Sequence, residues 1–95
     1  MLDQVKQLME MKRQADQMKR ELDAMQVEHE ERGINVVVTG AQTVCSINID
    51  DTLVASGNKA ELEKELVRCL NGAIKKAQLQ AAQKMKDLMP GFPGL

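Results

Sequence analysis

Aromatic side chains are almost missing from this chain: Phe92 is the only one in 95 residues, and there is no Trp or Tyr. That excludes a core built on large rings, and it leaves no platform on which unpaired bases could stack. Proline occurs only at Pro90 and Pro93, and no glycine precedes Gly33, so nothing interrupts a helix in the first third of the chain. The two cysteines, Cys45 and Cys69, have neither redox nor metal spacing. No apolar run approaches the roughly 20 residues of a membrane span, and the start MLDQVKQLMEMKRQ has no apolar signal region. A cytoplasmic protein with reduced thiols and no membrane contact is expected.

Charge of one sign is missing as well. Thirteen Lys and Arg stand against 14 Asp and Glu, a formal charge of −1, so no global basic field points to nucleic acid. Chemistry-bearing constellations are lacking: there is no His/Cys/Asp grouping and no Gly-rich phosphate loop before a helix. His29 is the only histidine and has no second ligand at metal spacing, so it reads as an exposed or sheet-facing side chain. Glu61, Glu63 and Glu65 are spaced by two, so the three do not gather on one helix face. The expectation is no enzyme, cofactor, metal or small-molecule substrate. A chain this short buries little core alone, and oligomerisation commonly supplies the rest.

What is present begins with a helix. Leu8, Met11, Ala15, Met18, Leu22 and Met25 alternate spacings of three and four, the seam of a coiled coil. Helix packing explains these methionines better than a methionine metal site. With Leu8 at position a, Lys12 and Lys19 fall at e and Lys6, Arg13 and Arg20 at f. Asp16 and Asp23 fall at b, and Asp3 and Glu10 at c. One flank is basic and the other acidic, a pattern that a solvated face with i,i+4 pairs would also produce. From Met25 to Arg32 the pattern fits either a strand or a continued helix.

GINVVVTGAQTVCSINID, from Gly33 to Asp50, reads as a β-hairpin. A Gly40-Ala41 turn, with Gly at positive φ, pairs Thr39 with Gln42, Val36 with Cys45 and Ile34 with Ile47. Val38 then shares their face opposite Thr43, and Val37 meets Val44 on the other. A three-residue loop would set Val36 against Ser46 and mix the faces. Cys45 is accordingly expected to be a small buried hydrophobe. Apolar residues on both faces of a lone hairpin call for more cover than two helices provide, and a second copy is the economical source.

DDTLVASGNKAE follows as a turn, and Asn58 with Glu61 resembles a capping box. The helix it opens has one broad apolar face, with Leu62, Leu66, Cys69, Leu70, Ala73, Ile74, Ala77, Ala81, Met85 and Leu88. Gly72 lies inside it at a cost of roughly 1 kcal/mol against Ala, which predicts close packing there. Arg68, Lys75, Lys76, Lys84 and Lys86 make its second part basic, while acids gather at Glu28, Glu30, Glu31, Asp50 and Asp51. A near-neutral total therefore hides a helical end suited to phosphates. Residues 1–89 are expected to be one domain, with 90–95 a flexible Pro/Gly tail.

VVVTGAQTVCSINIDDTLV, followed by ELEKELVRCLNGAIKKAQLQAAQKM and the Pro/Gly tail, resembles the YbaB/EbfC family of bacterial nucleoid-associated proteins. The most specific parts are Ile49-Asp50 with Leu53, and LNGAIKKA from Leu70 to Ala77. The chain departs from the family's usual Asn-Asp-Ala at Asn71-Gly72-Ala73. The resemblance implies an α+β fold, α-β-β-β-α with long terminal helices, forming a tweezer-like homodimer that shares a sheet and binds double-stranded DNA in the nucleoid. It also implies a first strand between Met25 and Arg32. The expected DNA-binding residues are Lys12, Arg13, Lys19 and Arg20 on the first helix, and Lys75, Lys76, Lys84 and Lys86 on the last, acting by phosphate contacts. A helical-hairpin chaperone or protein–protein adaptor like the prefoldin subunits is the competing reading. A first helix of about 24 residues, roughly 36 Å, is short for such tentacles.

Overall fold

Three strands fold back on one another in sequence order: β1 (Gln26–Glu31), β2 (Ile34–Thr39) and β3 (Val44–Ile49). The helix α1 (Leu2–Ala24) precedes them, and the short α2 (Asp51–Ala55) and long α3 (Lys59–Leu88) follow. The computed structural model describes residues 2–88, so the expected stop at Pro90 and the tail 90–95 lie outside the described residues. The mixed helix–strand–strand–strand–helix order is as expected, and Met25 to Arg32 does contain the first strand. One addition is α2, where the sequence suggested only a turn. Asp50 caps it, its Oδ1 accepting from the Thr52 amide at 3.2 Å. Asn58 caps α3 in the expected way, accepting from the Glu61 amide at 3.1 Å.

The turns set the register. Arg32 and Gly33 both have positive φ, 50° and 87°, between Glu31 and its partner Ile34, which is the type I′ pattern of a two-residue hairpin. The β2–β3 connection differs from the two-residue expectation. Thr39 donates to the Thr43 carbonyl at 2.8 Å, so three residues form the loop, and Gln42 takes the left-handed conformation at φ 67°. Gly40 has no positive φ and serves a different need. Its amide donates to the Leu22 and Met25 carbonyls at 3.0 and 2.9 Å, and a Cβ there would stand 3.1 Å from the Leu22 oxygen. This glycine lets the end of α1 sit against the sheet.

A second irregularity follows. The register shifts between Val37 and Val38: Val38 pairs with Val44, Val37 with Ser46, Val36 with Ile47 and Ile34 with Ile49. The expected Val36–Cys45 and Ile34–Ile47 pairs are therefore not formed. Cys45 is the extra residue of the bulge and is exposed, contrary to its reading as a buried hydrophobe. The expectation of two apolar hairpin faces also fails, because Val44 shares the face of Val38 and leaves Val37 as the lone apolar residue opposite, among Asn35, Ser46 and Asn48.

The core lies between that apolar face and α3. Val27, Ile34, Val36 and Val38 pack against Cys69, Ala73 and Ala77, with Leu53, Leu62, Leu66 and Leu70 at the margin. Small residues at i,i+4 spacing let α3 approach β1 and β2 closely. Its cover stops short of β3, where Val44 and Ile47 remain 43% and 44% exposed. The seam predicted on α1 is likewise covered only in part. Leu22 and Met18 are half-buried, but Leu8 and Met11 are exposed.

Candidate functional site

The 23 residues of α1 span roughly 35 Å. Its second half meets the end of α3. Glu21 pairs with Lys84 at 3.6 Å, and Gln14, Gln17 and Met18 line a cavity of about 180 Å³ with Leu88. The first half of α1 has no buried residue, and the molecule as a whole is drawn out to 66 × 20 × 17 Å.

The eight cations expected from the sequence all lie on these two helices, but their surroundings differ. Lys12, Lys19 and Arg20 are exposed and have no carboxylate partner among the described residues. Lys12, Arg13 and Arg20 surround a shallow depression on α1 together with Met9 and Asp16. Arg13 is held by Glu10 at 2.7 Å, not by Asp16 or Asp23. On α3, Lys84 is taken by Glu21 and the Lys76 Nζ donates to the Glu28 carbonyl at 2.7 Å, while Lys75 and Lys86 are exposed. The Glu10–Arg13 pair was readable from its i,i+3 spacing. The Glu21 and Glu28 contacts join separate elements and left no local signal.

Besides the acids along the helices, such as Asp16 beside Lys12 and Arg20, carboxylates gather on the open face of the sheet. Glu30 and Asp50 line one open depression on the sheet with Gly33, Asn35 and Asn48, and Glu28 accepts from Asn35 Nδ2 at 2.6 Å. Carboxylates gathered on that face disfavour the approach of phosphates there. Nearer the core, Arg32 reaches Glu65 at 2.9 Å, but the second carboxylate oxygen of Glu65 is buried without a partner. Cys69 is fully buried, and that burial pushes its thiol pKa up. The charges of Glu31 and then Glu30 add to the rise, against a lowering backbone hydrogen bond at Glu31.

Among the described residues, no helix is long and apolar enough to cross a membrane. Compared with known proteins, the chain matches the YbaB/EbfC DNA-binding family over residues 1–92. An uncharacterised protein of Mycoplasma pneumoniae is 28% identical over 95% of this chain and 96% of its own length. A nucleoid-associated protein of Clostridium botulinum is 38% identical over 61 residues, which are 64% of this chain and 54% of that protein. The crystal structure of an uncharacterised Helicobacter pylori protein superposes with a TM-score of 0.62 at 18% identity, covering 86% of this chain and 98% of that one. At that identity the likeness is one of fold.

Proposed function

Because the chain belongs to the YbaB/EbfC DNA-binding family, we propose that it is a nucleoid protein that binds duplex DNA as a homodimer, through phosphate contacts from its helical arms. The observation that carries this reading is the separation of charge. Lys12, Lys19 and Arg20 stand without carboxylate partners among the described residues, while Glu28, Glu30 and Asp50 make the sheet face acidic. Long cations without a fixed partner neutralise phosphates and release counterions whatever the base sequence. The lack of aromatic platforms favours a duplex over single strands. Relatives in Clostridium botulinum bear the name nucleoid-associated protein, in keeping with this role.

The dimer rests on β3. It is an edge strand, paired on one side only, and it carries exposed Val44 and Ile47 beside the half-buried Ile49. Unpaired backbone groups next to apolar side chains invite a second strand, and a twofold partner supplies one without leaving a further edge. Sedimentation at micromolar concentration is expected to give a dimer, and Ile47→Glu a folded monomer. A stable wild-type monomer contradicts the dimer.

A second reading is supported by Leu8, Met9 and Met11, which are 64–68% exposed at the outer part of α1 and offer apolar surface to a client protein. Titration of unrelated labelled duplexes at two salt concentrations separates the two. Sequence-independent binding that weakens steeply with salt is the result expected for the DNA reading. Suppression of client aggregation that ignores salt, without DNA binding, favours the chaperone.

A further inference from the structure

Where α3 crosses β1, three side chains come together that the DNA reading does not use. His29 and Glu31 are two apart on β1, so both lie on the face that α3 covers. Cys69 descends onto them from α3. His29 Nε2 is 3.0 Å from Glu31 Oε2, and a ring nitrogen of His29, a carboxylate oxygen of Glu31 and Cys69 Sγ all lie within 4.8 Å of one another. Gly72 makes the arrangement possible. A Cβ at that position would stand 2.6 Å from His29 Nε2 and 3.3 Å from Glu31 Oε2. The imidazole and the carboxylate thus occupy space that only glycine leaves, in the interior of a 30-residue helix where glycine costs about 1 kcal/mol relative to Ala.

We propose that His29, Glu31 and Cys69 form a binding site for Zn²⁺ or a similar transition-metal ion, which fastens α3 to β1. An imidazole nitrogen, a carboxylate oxygen and a thiolate sulfur are the donors zinc takes, whereas Mg²⁺ and Ca²⁺ require oxygen shells. With metal–ligand lengths of about 2.0–2.3 Å, a tetrahedral ion holds its donors roughly 3.3–3.6 Å apart. The His29–Glu31 pair, at 3.0 Å, needs to open by only a few tenths of an ångström, and Cys69 Sγ needs a movement of at most about 1 Å. Water fills the fourth position from the open side, where the Glu31 side chain is 37% exposed. Cys69 Sγ now donates to the Ile34 carbonyl at 3.4 Å. On binding, that thiol proton passes to solvent, the sulfur lone pair goes to the metal, and His29 adopts the Nδ1–H tautomer so that Nε2 can ligate. Two ligands come from a strand and one from a helix some forty residues later, so the ion acts as a cross-link at the root of the α3 arm.

The test uses the full chain, reduced and freed of metal by a chelator, titrated with Co²⁺. The expected result is one equivalent bound per chain, with the near-ultraviolet thiolate-to-cobalt absorption and the strong visible bands of a tetrahedral ion, all displaced by Zn²⁺. Cys45→Ser keeps these bands and Cys69→Ser abolishes them. His29→Gln and Gly72→Ala weaken binding at least about tenfold, Gly72→Ala because its Cβ displaces the imidazole. Zn²⁺ raises the melting temperature of the wild type and leaves that of His29→Gln unchanged. Should Cys69→Ser fail to fold by circular dichroism, the His29→Gln and Gly72→Ala titrations decide. Absence of the thiolate band in the wild type, its loss in Cys45→Ser, or undiminished binding in both His29→Gln and Gly72→Ala overturns the proposal.

Discussion

Neutralising the two basic stripes separately is expected to have unequal effects on DNA binding. The perturbations are Lys12, Arg13, Lys19 and Arg20 to Gln on α1, and Lys75, Lys76, Lys84 and Lys86 to Gln on α3. Each cation that neutralises one phosphate contributes about 0.9 to the slope of log affinity against log salt. On α1 only Arg13 is held by a carboxylate, Glu10 at 2.7 Å, which leaves Lys12, Lys19 and Arg20 for phosphates. On α3, Lys84 is engaged by Glu21 and Lys76 by the Glu28 carbonyl, which leaves Lys75 and Lys86. The α1 variant should therefore flatten the slope by about 2.7 per protomer and the α3 variant by about 1.8. The fold should survive both. The Arg13–Glu10 and Lys84–Glu21 pairs are at least 39% exposed and worth below about 1 kcal/mol each. Fluorescence anisotropy of several unrelated duplexes over a salt series measures the slopes, and circular dichroism checks the fold. A wild-type slope in the α1 variant removes α1 from the interface. A larger loss from α3 than from α1 refutes the argument that intramolecular partners withhold cations from DNA.

Gly40→Ala should lower stability by about 1–3 kcal/mol, because its Cβ meets the Leu22 carbonyl oxygen at 3.1 Å while that oxygen accepts the Gly40 amide; an unchanged urea midpoint contradicts this. Arg32→Asn keeps a residue tolerant of φ 50° but strands Glu65, whose side chain is only 8% exposed. It should cost about 1–3 kcal/mol and be rescued by Glu65→Leu, and equal stabilities of the Asn variant and the wild type refute it. Since the Cys69 pKa is raised in the folded state, its contribution is fully present below the ordinary thiol value of 9.0 and is lost as pH rises through the folded value. The melting temperature of the wild type should fall more steeply above pH 9.0 than that of Cys69→Ser, and parallel profiles argue against it.

Helices were the legible part of this chain because their faces repeat. The Cys69, Ala73, Ala77 stripe and the Asn58 cap are local patterns, and they mark α3 without knowledge of its neighbours. The hairpin's register differs from the reading of its turn, and Cys45 is an exposed bulge residue where a buried one was expected. Gly40 looks like the source of a positive φ, but it is required by the approach of α1, and Gln42 carries the left-handed backbone. No local rule separates those two uses of glycine. The cations of the candidate interface were visible as residue types, yet Glu21 and Glu28 reach them from other elements. Glu31 stands two residues from His29, but a His/Glu pair alone is no metal signal, and the third member, Cys69, lies on a different element. Only the crossing of α3 over β1 brings them together, and the cost of Gly72 within a helix was the one trace of it in the sequence.

The two irregularities of the β2–β3 connection compensate one another in register. The three-residue loop displaces the pairing by one position, and the bulge at Cys45 displaces it by one more. Together they return Ile47 and Ile49 to the face of Val36 and Ile34. Forming either irregularity without the other in this sequence would turn Ser46 and Asn48 toward the core and the isoleucines outward, whereas deleting Cys45 or one loop residue leaves every remaining pair on its present face. Deleting both preserves every facing and yields the plain two-residue hairpin. Loop and bulge are therefore tied together by the fixed run of residues between them, while each is also a place where a single lost residue is absorbed without disturbing the ladder.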